Sequence, residues 1–92
     1  MEKILTHRQA LREVRKFAKK HQRFTNKTIR HHFQREGYTH YLAMGSGTPP
    51  TYYKVRIEDA SFAAVFKKLR EKGVIEYTTA KRWDSKIFEG GD

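Results

Sequence analysis

The side chains with the widest chemical range in this chain are five histidines, two of them adjacent, His31 and His32. Neighbours on a helix point about 100° apart, so this pair does not close on one ion, and His40 stands beyond Gly37. With no cysteine in the chain and no carboxylate completing a ligand set, no metal is expected. The ten acidic residues are scattered from Glu2 to Asp92, with no pair at the spacing of a general acid and its base. Gly45-Ser46-Gly47 is the one glycine-rich stretch, and it lacks the Gly-Lys-Ser/Thr continuation with which a phosphate loop holds a nucleotide. Neither catalysis nor a cofactor is expected, since 92 residues also leave little interior for a pocket.

What remains is charge. Twenty Lys and Arg face ten Asp and Glu, a formal net charge of +10, and on so small a body this field attracts polyanions. Residues 1 to 36 hold eleven basic and three acidic side chains, whereas residues 37 to 92 hold nine and seven. Double-stranded DNA is the partner this favours; an acidic protein and structured RNA are the alternatives. The longest apolar run, Phe62 to Phe66, is far too short to span a bilayer, and Met1 to Thr6 lacks the apolar stretch of a secretion signal. A cytoplasmic or nucleoid-associated protein with no membrane partner is the expectation.

The cations need elements to position them. Thr6-His7-Arg8-Gln9 has the form of a capping box, so a helix should start there. At 100° per residue Ala10, Leu11, Val14, Phe17 and Ala18 share one arc. Arg8, Arg12, Arg15, Lys16, Lys19, Lys20 and Arg23 fill the other side. His21 falls on the apolar arc and reads as a core histidine. Phe24 and Ile29 bracket Thr25 at the spacing of a hydrophobic staple, which predicts a second helix from Asn26 to Arg35 stopped by Gly37. Its inner stripe is Ile29, Phe33 and His32; Lys27, Arg30, His31 and Gln34 face out.

Residues 38–58 read as an extended loop around Gly45–Pro50 and a short strand over 52–57, with Tyr53, Val55 and Ile57 on one face. Asp59 is placed to cap a third helix over 60–72, with Phe62, Val65, Phe66 and Leu69 as its core stripe and Gly73 as its stop. Two strands, 74–78 and 83–88, follow around Thr79-Ala80-Lys81-Arg82, and residues 89–92 form a frayed tail. The chain reads as one domain, mainly α with a small β-hairpin.

Three helices followed by a hairpin resemble the winged helix-turn-helix family of DNA-binding proteins. The closest echo is Ser61-Phe62-Ala63-Ala64-Val65-Phe66-Lys67-Lys68-Leu69-Arg70-Glu71-Lys72-Gly73-Val74-Ile75, similar to that family's third helix running into its wing. About twenty residues separate helices 2 and 3 where the family usually has a short turn, which resembles the long-turn variants of small phage and mobile-element proteins. The resemblance implies an α+β domain of three helices plus a two- or three-stranded wing, acting as a regulatory or accessory factor. It also implies that the third helix enters the major groove through Ala60, Ala63, Ala64, Lys67, Lys68 and Glu71, with Lys81 and Arg82 at the wing tip. Because that face carries no Arg, Asn or Gln, base readout is expected to be weak. Phosphate contacts by Lys67 and Lys68, by Lys27 and Arg30, and by Arg12, Lys16 and Lys19 are expected to dominate. Trp83 reads as core packing. Tyr41, Tyr52 and Arg56 in the long loop are the anchors a protein partner would use instead.

Overall fold

A computed structural model describes residues 1–78 and 82–90. The chain is α+β: three helices, α1 (His7–Lys20), α2 (Asn26–Arg35) and α3 (Ala63–Glu71), with two small three-stranded sheets. The first sheet has the order β1 (Ile4–Leu5), β3 (His40–Met44), β4 (Tyr52–Arg56), with β1 parallel and β4 antiparallel to β3. The second has the order β2 (Arg23–Phe24), β6 (Trp83–Ser85), β5 (Ile75–Tyr77), antiparallel throughout. The strand between α1 and α2 thus closes onto the C-terminal hairpin.

Both expected helix starts are present. Thr6 Oγ1 accepts from the Gln9 amide at 3.1 Å while Gln9 Oε1 accepts from the Thr6 amide at 3.0 Å. At α2 the reciprocal pair is Thr25 and Thr28, and the flanking Phe24 and Ile29 are buried. Gly37 and Gly73 follow their helices at φ +90° and +75°, a region that costs other residues strain. Ala10, Val14, Phe17 and Ala18 of α1 join Ile29 and Phe33 of α2 and Val65, Phe66 and Leu69 of α3 in one core. Full burial of each large apolar side chain contributes about 1.5–3 kcal/mol.

Four expectations are corrected. Residues 40–44 are a strand, not loop, and the loop is confined to the connection between β3 and β4. In β4 Tyr53 is exposed although its partner Ala43 is in the core, and Ile57 belongs to a 3-10 turn over Ile57–Asp59. That turn also removes Asp59 from its expected capping role: Ala60 is extended, Ala60 and Phe62 drop into the core, and α3 begins at Ala63. His21 ends α1 as an exposed residue stacked on Phe17, ring centroids 3.9 Å apart, rather than in the core. His32 is half-buried between Phe17 and Phe33 as expected. Among the described residues no helix is long and apolar enough to cross a membrane.

Candidate nucleic-acid interface

α3 presents Ala63, Lys67, Lys68, Arg70 and Glu71 as exposed residues, with Ala64 half-buried; Ala60 is buried ahead of the helix and leaves the outward set. The helix is held at its start by a side chain from α2. Asn26 Oδ1 accepts from the Phe62 amide at 2.9 Å while Asn26 Nδ2 donates to the Ala60 carbonyl at 3.0 Å. Both ends of this amide are occupied within the protein, so Asn26 fixes α3 against α2 and is not free to read a base.

A groove of about 520 Å³ runs between α3 and the second sheet, with Ala63, Lys67 and Arg70 on one side and Tyr77 and Trp83 on the other. Trp83 is half-buried and packs on Phe66 (centroids 5.1 Å) and Tyr77 (4.9 Å), as a packing residue does. Arg70, absent from the face expected of α3, lines this groove and brings the planar fork that the sequence reading denied it. The β5–β6 hairpin is fixed by the Arg82 carbonyl, which accepts from the Thr78 amide at 2.8 Å and the Thr78 hydroxyl at 3.1 Å, and the Arg82 side chain is exposed. Lys81, the other expected wing cation, lies outside the described residues.

On the opposite flank of α3, a second groove of about 650 Å³ is lined by Lys67, Lys68 and Glu71, by His7 and Leu11 of α1, and by the start of the β3–β4 connection. His7 Nδ1 sits 3.0 Å from the Tyr41 hydroxyl. Burial, and then the nearby Lys68 charge, hold the His7 imidazole below its ordinary pKa. Burial likewise pushes the Tyr41 phenol up to about 12. Since His7 and Leu11 face this groove, helix geometry brings Arg8 and Arg15 to its margin, while Arg12 and Lys16 lie 100° or more round from Leu11. The outer α1 cations Arg12, Lys16 and Lys19 are exposed and line neither groove beside α3.

The remaining expected residues divide. Lys27 is exposed next to Asn26, but Arg30 is half-buried and its Nη1 donates to the Glu58 carbonyl at 3.1 Å, tying α2 to the 3-10 turn. Tyr41 is only 1% exposed and cannot anchor a partner; it is core because β3 turns it inward beneath Phe62. Tyr52 and Arg56 are exposed.

Ion pairs lie at both sheets, including Lys86 with Glu76 at 3.5 Å beside the second. On the first sheet Glu2 pairs with Lys54 at 2.9 Å and lies 3.8 Å from His40, and Glu58 pairs with Arg56 at 3.4 Å. The Lys54 hydrogen bond and charge hold the Glu2 carboxyl below the usual carboxylate range. In the second sheet Arg23 lies 3.3 Å from Asp84. Among the described residues, no ion pair within 4.0 Å engages Lys67, Lys68, Arg70, Arg82, Arg8, Arg12, Arg15, Lys19 or Lys27, and Lys16 only approaches Glu13 at 3.9 Å. No family model, curated protein or solved structure matches the chain. The site must therefore be read from its own chemistry.

Proposed function

We propose that the protein is a winged-helix domain that binds double-stranded DNA, chiefly through phosphate contacts. The observation that carries this reading is the concentration about α3 of cations with no ion-pair partner among the described residues, Lys67, Lys68 and Arg70 on the helix and Arg82 on the wing, while Lys54 and Arg56 of the first sheet are neutralised by Glu2 and Glu58. Support for the fold comes from α3 running through Gly73 into a hairpin that β2 widens to three strands. Ala63 is small, exposed and lines the wing groove together with Lys67, which lets the helix backbone approach a duplex closely. Arg70 is the side chain in that groove whose fork matches guanine O6 and N7, so sequence discrimination is modest and rests on it.

The test is a salt titration of binding to a random-sequence duplex of about 30 base pairs, with RNA and single-stranded controls. A steep log–log slope is expected, close to 0.9 for each phosphate contacted, and Lys67→Ala with Lys68→Ala should reduce its magnitude by about two. Lys54→Ala, which removes a charge already paired with Glu2, should leave the slope unchanged. Absence of duplex binding at low salt, or binding that salt does not weaken, overturns the proposal.

A further inference from the structure

We propose that the β3–β4 hairpin is a second nucleic-acid arm, which with α3 forms a slot for one strand of the duplex backbone on the side opposite the wing. This rests on the duplex-binding reading above. Lys67 lines both the wing-side groove and the 650 Å³ groove against the hairpin, so α3 stands as a ridge between two slots. The second slot has the parts a phosphodiester strand needs. Lys67 and Lys68 supply charge, Ser46 at the hairpin tip supplies a hydroxyl, and Leu11 and Ala64 supply an apolar floor for deoxyribose. His7 opens onto the same slot from the first turn of α1.

The arm is built to hold a position. β3 and β4 pair residue for residue from His40↔Arg56 to Met44↔Tyr52, and the Gly45 amide donates to the Thr51 carbonyl at 2.6 Å to close the base of the tip. The approach is so close at Gly45 that a Cβ there would meet Thr51 Oγ1 at 2.8 Å. One group opposes the ligand: the Glu71 carboxylate lines the slot, within reach of the same strand. It moderates the field of the two lysines, and its neutralisation should tighten binding.

The chain has no cysteine, so Ser46→Cys gives a single labelling site. A photoactivated crosslinker at that position, on the full chain bound to the random duplex at low salt, should join the protein to DNA. The same label at Gln34→Cys, away from the slot, should not. Replacing Ser46–Pro50 with Asn-Gly shortens the arm to a two-residue turn that a hairpin accepts. It should lower duplex affinity roughly fivefold and the salt slope by about one, with unchanged circular dichroism. Glu71→Gln should raise affinity by a similar factor. If the unmodified protein binds duplex with a steep slope, yet Ser46→Cys gives no crosslink and the shortened arm binds equally well, the second arm is refuted and the duplex-binding reading stands. If the unmodified protein does not bind duplex at all, both fail.

Discussion

Removing the Asn26 side chain tests how α3 is held. Asn26→Ala deletes two hydrogen bonds of 2.9 and 3.0 Å that join the first turn of α2 to the segment entering α3, 34 to 36 residues away. Two such bonds contribute about 0.5–1.5 kcal/mol each, and the Phe62 amide is left without a partner beside a fully buried ring, at about 1–3 kcal/mol. α3 has no capping side chain at Phe62 and no acidic residue in its first turn to compensate. Allowing for water reaching part of the site, the expected loss is about 2–3 kcal/mol, or roughly 10–20 °C in melting temperature for a domain of this size. Asn26→Asp keeps the acceptor at the positive end of a helix and loses the donor to Ala60, so it should cost only about 1 kcal/mol. Thermal unfolding followed by circular dichroism, with urea denaturation alongside, should rank the proteins wild type, Asp, Ala. An Asn26→Ala protein melting within about 3 °C of wild type would refute the reasoning.

Three further outcomes are expected. Tyr41→Phe should lose about 1 kcal/mol in urea unfolding with duplex binding intact, whereas Tyr41→Ala should lose about 3–5 kcal/mol, because the ring is core and the hydroxyl bonds only the half-buried His7. Burial holds the His7 and His32 imidazoles below their unfolded values. The unfolded chain then binds more protons as pH falls below about 6.5, so this part of the stability is complete above that pH and declines below it; a melting temperature that rises between about pH 7 and pH 5 contradicts this. Gly73→Ala should cost about 1–2 kcal/mol through its φ of +75° alone, since no atom lies within 4 Å of the added Cβ, and chemical denaturation measures it.

How much of this was legible depends on whether the signal is local. The caps at Thr6 and Thr25 and the stops at Gly37 and Gly73 are written within a few residues, and all four stand where the spacing puts them. β3 was hidden for a physical reason. Its inward residues are Tyr41 and Ala43, but Leu42 and Met44 on the other side line grooves against α1 and α3, so both faces are apolar and the period of two disappears. Taking that segment for loop is also what made Tyr41 look available to a partner. The Asn26 clamp has no local signature at all, because its partners are set by the packing of α2 against the turn before α3. Arg70 entered the candidate site for a similar reason: helix periodicity places it on α3, but only the position of Tyr77 and Trp83 makes that side of the helix a groove wall.

Glu2 and Glu58 lie against cations of the first sheet, whereas among the described residues the cations of α1 and α3, apart from Lys16 beside Glu13, stand without such partners. With a formal net charge of +10 the unpaired cations repel one another, and that repulsion is a cost of folding that screening or a bound polyanion relieves. Added salt should therefore raise the melting temperature of the free protein, the opposite of what loss of its few surface ion pairs would give. Duplex DNA at low salt should raise it further, by about 2.7 kcal/mol of stability when free duplex reaches 100 times its dissociation constant. The two effects compete: the same salt that stabilises the free chain weakens the complex, so the shift produced by duplex should shrink as salt is added and vanish when binding does. Differential scanning fluorimetry over a salt series, with and without duplex, reads both curves. If the free protein melts lower as salt rises, the unpaired cations are not straining the fold, and their lack of partners does not have the energetic meaning assigned to it.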